Sequence, residues 1–325
     1  MSKIRDTTWA VKWFVICTFL FAGIGLTFVP KLLRTTPSAD DWIKCTSPDP
    51  ATRFSGCSAI INAGLGTNTL IAEAHVNRAN FYYDKADYNQ AIADFDKAIR
   101  LNAEDVFAYF NRGNSYARKG EFDKAIADYD KAIALNPKDG EFYTNRANVY
   151  SEIGNFVQAK SDFEKAIAIK PNDPHYHFNL GNFYLVRGDN DPAIVEYNRA
   201  IALDPNNAVS YSNRGVAYDN KRDYDQAIAD YDKTIAMTPN DDIPYFNRGN
   251  DYEAKGNHQL AISDYDKAIA LNPKRVGVYL NRGKAEEARG NLQASESDYR
   301  HALLLAPGDK DILAALQKLR GKQTP

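Results

Sequence analysis

Seven asparagines, Asn77, Asn111, Asn145, Asn179, Asn213, Asn247 and Asn281, stand 34 residues apart with no insertion or deletion between them. A primary amide offers one acceptor and two donors, enough to pair with both the N–H and the C=O of a peptide unit without reading its side chain. A second amide follows three residues later in Asn80, Asn114, Asn148, Asn182 and Asn250, whereas the fifth and seventh units carry Val216 and Lys284 there. Residues i and i+3 share a helix face, so the two sets form a double row suited to an extended backbone. The competing structural role is hydrogen bonding between neighbouring helices of the array.

A second constellation pairs charges. Arg78, Arg112, Arg146, Arg214, Arg248 and Arg282 each follow their Asn directly, with Leu180 in the fourth unit. Acids recur downstream at Asp94, Asp128, Asp162, Glu196, Asp230, Asp264 and Asp298, and again at Asp96, Asp130, Glu164, Asp232 and Asp266, with Asn198 and Arg300 in the remaining units. A guanidinium meets a carboxylate in two parallel bonds, so this pattern reads as a structural ladder of ion pairs.

Catalytic patterns do not occur. There is no Gly-rich phosphate loop, nucleophile elbow or His-Glu zinc helix. His175 and His177 are two apart and point to different sides of a helix, and His177 takes a position where other units carry Tyr, which makes it a packing residue. No enzyme, cofactor or metal is expected. The balance of 40 Lys+Arg against 42 Asp+Glu lacks the clustered basic excess that phosphate binding needs, which excludes nucleic acid as an expected partner.

The elements that must position these groups follow from the period. Units run 72–105, 106–139, 140–173, 174–207, 208–241, 242–275 and 276–309, and a fixed period of this kind marks an array whose units bury their apolar faces against neighbours. In the unit 106–139, Tyr109, Gly113 and Tyr116 share one helix face and Ala125, Tyr129 and Ala132 another. Gly120 is placed to end the first helix in a left-handed conformation, and Pro137 to stop the second. Each unit is therefore an antiparallel helix pair.

These units resemble the tetratricopeptide repeat. The family's small residue at position 8 is Ala79, Gly113, Ala147, Gly181, Gly215, Gly249 and Gly283; its position-20 Ala is Ala91, Ala125, Ala159, Ala193, Ala227 and Ala261, then Ser295. Its position-24 aromatic is Phe95, Tyr129, Phe163, Tyr197, Tyr231, Tyr265 and Tyr299. Departures cluster at the ends, in Ala103, Glu286 and Ser295. The resemblance implies an all-α, right-handed superhelical α-solenoid whose first helices line a concave groove. The position-6 Asn row resembles the asparagine ladder in the repeat domain of the O-linked N-acetylglucosamine transferase, where amides grip an extended peptide. The family's carboxylate clamp needs Lys at position 5, and no unit has it.

Outside the array, residues 13–29 are uncharged and apolar, close to the ~20 residues that span a bilayer. Trp9 and Trp13 suit an interfacial belt. An uncleaved anchor is expected, with a cleaved secretory signal as the alternative; either carries the repeats across the membrane, to a periplasmic or extracellular site. Cys45 and Cys57 are an even pair near the expected first repeat. As a disulfide they would staple the incoming chain onto the helix carrying Cys57 and would imply an oxidising compartment; as two free thiols they imply nothing.

The expected organisation is a short basic region 1–12, a transmembrane anchor or signal 13–29, a linker and degenerate half-repeat cap 30–71, seven repeats 72–309, and a capping helix and tail 310–325. The style of the repeats looks like bacterial members of the family. The expected function is a non-catalytic scaffold holding other proteins, or extended peptides, in its groove, with a structural or self-assembling envelope element as the alternative.

Overall fold

The computed structural model describes residues 38–64 and 66–323. The expected basic region and membrane span lie outside them. Among the described residues no helix is long and apolar enough to cross a membrane.

The described chain is helical throughout. Helices α1 (Ala39–Cys45) and α2 (Pro50–Ala63) lead into seven pairs: α3 (Asn68–Asp84) with α4 (Tyr88–Leu101), α5 (Val106–Arg118) with α6 (Phe122–Leu135), α7 (Gly140–Glu152) with α8 (Phe156–Ile169), α9 (Pro174–Val186) with α10 (Asn190–Leu203), α11 (Ala208–Asn220) with α12 (Tyr224–Met237), α13 (Asp242–Ala254) with α14 (His258–Leu271), and α15 (Val276–Ala288) with α16 (Leu292–Leu305). A last helix, α17 (Lys310–Gln323), closes the array. Each helix packs chiefly against the ones before and after it, and the first helices of successive pairs also touch. That is the arrangement of an α-solenoid. The first repeat helix starts at Asn68, ahead of the 34-residue frame, because the Thr67 side chain accepts from the Leu70 N–H and caps it there.

Within a pair the close approach is made at position 8. A Cβ added to Gly113 would lie 2.8 Å from Cε1 of Tyr129, and one added to Gly283 2.6 Å from Cε1 of Tyr299. The two units with Ala at this position, Ala79 and Ala147, carry Phe95 and Phe163 in place of Tyr. Gly goes with Tyr and Ala with Phe. Tyr129, Tyr197, Tyr231, Tyr265, Tyr299, Phe95 and Phe163 are all essentially buried, each worth roughly 1.5–3 kcal/mol in apolar area.

The turns between paired helices use a left-handed residue. Gly120 has φ 74°, as expected, but Ala86 and Arg222 hold the same place at φ 58° and 62°, a conformation that costs a side-chain-bearing residue about 1–2 kcal/mol.

The segment expected as a linker and half-repeat holds the pair α1 and α2, with Asp49 capping Pro50 at the first turn of the second. The two cross tightly: a Cβ on Gly56 would stand 2.5 Å from the Lys44 Cβ. Cys45 and Cys57 are joined by a disulfide with a separation of 12 residues. The same spacing separates Gly113 from Ala125, and the 34-residue frame carried back one unit puts these cysteines at positions 8 and 20. At the other end Ile312, Leu316 and Leu319 of α17 bury against Tyr279, Tyr299 and Ala302.

Candidate functional site: the amide row of the groove

The Asn rows meet across the unit boundaries. Nδ2 of Asn111 donates to Oδ1 of Asn80 at 3.1 Å, Asn145 to Asn114 at 2.9 Å, Asn213 to Asn182 at 2.8 Å and Asn281 to Asn250 at 2.8 Å. Position 6 of one unit thus bonds position 9 of the unit before it. The position-9 oxygen also accepts a buried hydroxyl: Tyr129 donates to Asn114 at 2.8 Å, Tyr197 to Asn182 at 2.7 Å and Tyr265 to Asn250 at 2.9 Å. Burial pushes these three phenols well above their ordinary range, so they stay protonated donors. Both rows therefore have a structural part to play. Each bridging position-6 amide spends one N–H there and retains its oxygen and second N–H.

The remaining position-6 residues, Asn77, Asn179 and Asn247, make no such bridge. Asn77 reaches Cys45 Sγ at 4.0 Å, and Asn179 turns back to the His175 carbonyl at 2.8 Å. With Phe163 lacking a hydroxyl and Asn179 turned away, Asn148 is exposed on the groove surface. The groove deepens beside it into a cavity of about 500 Å³, whose wall includes Asn114, Asn145 and Asn148 with Tyr129, Arg118 and Glu152. A second hollow of similar size lies by Asn77, between Glu73 and Phe107. The first offers amides, a guanidinium and a carboxylate around an apolar floor that includes Val149, a set that can hold an extended backbone and one or two polar side chains.

The charge ladder has a register that the sequence left open. Arg112 donates from Nε and Nη2 to both oxygens of Asp128 in its own unit, at 2.8 and 2.6 Å, and from Nη1 to Asp96 of the preceding unit at 2.6 Å. Arg146, Arg214, Arg248 and Arg282 repeat this, with Arg214 reaching Asn198 in place of an acid. Asp96, Asp130, Asp232 and Asp266 therefore each serve the next unit's Arg, whereas Glu164, facing a unit with Leu180, pairs with Lys160 on its own helix. That explains the seventh unit: Arg300 has no following Arg to meet and pairs with Glu296 instead. Burial opposes the charge on Arg112, but the Asp128 and Asp96 carboxylates outweigh it and raise its pKa. In the fourth unit, where Leu180 replaces Arg, His177 takes over Glu196 through Nδ1 at 2.7 Å and donates from Nε2 to the Pro171 carbonyl at 3.0 Å. His177 is buried packing with a polar partner at each nitrogen.

Family models for the tetratricopeptide repeat match residues 106–139, 140–173, 208–241 and 244–275, and a second repeat model matches 79–120 and 181–222. The chain is a tetratricopeptide repeat protein. Its fold is shared with a tetratricopeptide repeat protein from Parabacteroides merdae (19% identity, 77% of this chain and 98% of that one, TM-score 0.55) and with the C-terminal part of a TPR repeat-containing protein from Cytophaga hutchinsonii (17%, 73% and 98%, TM-score 0.61). The pilF protein of Pseudomonas aeruginosa is similar at 17% identity over 67% of this chain and 97% of its own, with TM-score 0.56. No curated protein matches the chain.

One part of this tetratricopeptide repeat groove escaped the sequence pattern. Val216 removes the position-9 acceptor between the fifth and sixth units. The Tyr231 hydroxyl, buried there, has no hydrogen-bond partner, and neither carboxylate oxygen of buried Asp251 has one. Burial, and after it the Asp219 carboxyl at hydrogen-bonding range, push Asp251 up to about 8. Two ionised carboxylates only accept, so they bond each other only when a proton lies between them. The signal was present at position 10, where other units carry Phe81, Ser115, Val149, Phe183, Ala217 and Ala285, and Asp251 alone is charged.

Proposed function

We propose that this chain is a scaffold that binds extended peptide segments in its concave groove. Tetratricopeptide repeat proteins are generally protein–protein interaction scaffolds, and the finer reading rests on one observation. The cavity of about 500 Å³ gathers Asn114, Asn145 and Asn148 from successive first helices, and Asn148 is exposed there. Amides in such a row pair with peptide N–H and C=O groups irrespective of sequence, and a groove built on stacked helices holds its geometry without ordering on binding.

The test separates binding from folding within one row. Asn148→Ala is expected to weaken binding of an extended peptide pool while leaving the thermal melt unchanged. Asn114→Ala strips the acceptor from Tyr129 and Asn145 and is expected to cost about 2 kcal/mol of stability. Fluorescence polarisation with labelled peptides and a circular-dichroism melt read the two effects. Full binding by the Asn148 variant sinks the proposal.

We infer the compartment from the cysteines. A Cys45–Cys57 disulfide persists only under oxidising conditions, which supports repeats on the periplasmic or extracellular side, tethered by the apolar segment 13–29. Intact mass of protein taken directly from cells, without reductant, tests this: two free thiols remove the support.

A further inference from the structure

Each boundary between successive repeats carries an amide bridge, an Arg clip or both, except the one between the third and fourth units. There Asn179 turns to the His175 carbonyl, and Leu180 stands where the Arg would be. The acids that an Arg would meet are both taken within their own units, Glu164 by Lys160 and Glu196 by His177. Among the described residues, no side-chain hydrogen bond or ion pair joins α7 or α8 to α9 or α10.

What crosses this boundary is apolar. Leu180 and Phe183 of α9 bury against Ala147, Ala159 and Phe163. The Phe183 ring centre lies 5.5 Å from that of Phe163 and 6.3 Å from that of Phe156. The Arg187 guanidinium lies over the Phe156 ring, 4.4 Å from its centre. Packing is also incomplete. A hollow of about 410 Å³ opens between α8 and α9, lined by Phe156, Val157, Phe183 and Tyr184 among others, and Val157 on its wall is 78% exposed.

A hydrogen bond weakens steeply as its angle bends, so a bridged boundary resists rotation. Apolar burial has no direction and depends only on the area covered, so it survives a small slide. We infer that the boundary between the third and fourth repeats is a shear joint. Two bridged halves, α1 to α8 and α9 to α17, shift against each other there by the small sliding of packed helices. The first helices α7 and α9 also touch across this boundary, so a slide changes the curvature of the groove at mid-length while each half keeps its own. The same turned Asn179 leaves Asn148 exposed, so the joint lies beside the amide cavity. The joint goes beyond the peptide reading and stands without it.

The experiment uses the full-length chain with nitroxide labels carried on ketone-bearing residues, which leaves the natural cysteines untouched. Lys97, Lys165 and Lys233 hold the same place on the second helices of the first, third and fifth units, and all three are exposed. Labels at Lys97 and Lys165 span two fastened boundaries. Labels at Lys165 and Lys233 also span two boundaries, one of them the joint. Pulsed electron–electron resonance is expected to give a distance distribution about twofold wider for the second pair than for the first. A second arm moves the defect to another boundary. Asp130→Ala with Asn145→Ala removes the clip and the bridge between the second and third units, while Arg146 keeps both bonds to Asp162. This double variant is expected to widen the Lys97–Lys165 distribution. Equal widths for the two label pairs in the otherwise unaltered chain overturn the joint. A Lys97–Lys165 width unmoved by the double substitution overturns it as well, because bridges would then not be what holds a boundary.

Discussion

Asp251 shows what a single residue does when the period around it is otherwise kept. Its carboxyl is buried, with Asp219 as its close neighbour, Lys255 as a cation acting on it, and Tyr231 and Tyr265 within its field. Its pKa in the folded chain is raised to about 8, above the ordinary 3.8, so the native state holds this proton more tightly than the unfolded chain does. Its stabilising contribution is full below the ordinary carboxylate range and is lost as pH rises through about 8. Peptide-free protein is therefore expected to show faster amide exchange in α13 at pH 8.5 than at pH 6, after correction for intrinsic rates. Asp251→Asn, which carries no titrating charge, should flatten that dependence. A wild-type protection profile that does not change over this range contradicts the assignment of a raised pKa.

At the scale of the helix pair, the Gly–Tyr and Ala–Phe pairings are the clearest constraint. The Tyr129 hydroxyl is anchored on Asn114 at 2.8 Å, which fixes the ring over Gly113 and leaves no room for a methyl group. Where Ala147 occupies that place, Phe163 has no hydroxyl to anchor it. Gly113→Ala is therefore expected to cost about 2 kcal/mol through overpacking. Adding Tyr129→Phe releases the ring and should recover part of the loss, so that the two changes are non-additive. Urea melts of the single and double variants measure the coupling; simple additivity would show that the ring is held by packing alone. The charge ladder belongs to this scale as well. Each Arg clips its own pair to the one before it, so both the composition of a unit and its contact with a neighbour are written in one side chain.

For the whole molecule, a solenoid transmits order only between neighbours. The α1–α2 pair covers the open side of the first repeat, and the Cys45–Cys57 bond closes a short loop within it, a link worth about 3 kcal/mol to that pair. Reduction is expected to raise amide exchange in α1 and α2, to reach α3 in part through Asn77 and Cys45, and to leave α11 to α16 untouched. Hydrogen-exchange mass spectrometry with and without dithiothreitol reads this directly. Loss of protection along the entire array would instead mean that the chain folds as a single cooperative unit.

Much of this was legible in the residues. The 34-residue period, the small and aromatic positions and the Gly of the turn determine the helix pairs, because helical spacing alone fixes which residues share a face and which can approach closely. The terminal departures likewise marked where capping elements would sit. The register of the charge ladder was not legible, since one Arg reaches acids in two units and only the stacking angle selects which. The same holds for the amide row: sequence placed Asn on one face, while the distance between adjacent first helices decided that position 6 bridges to position 9. The carboxyl pair at Asp251 needed the fold most of all. Val216 and Asp219 lie on α11 and Asp251 on α13, so they read as scattered variation along the chain, and only the packing of the sixth unit on the fifth sets Asp219 against Asp251.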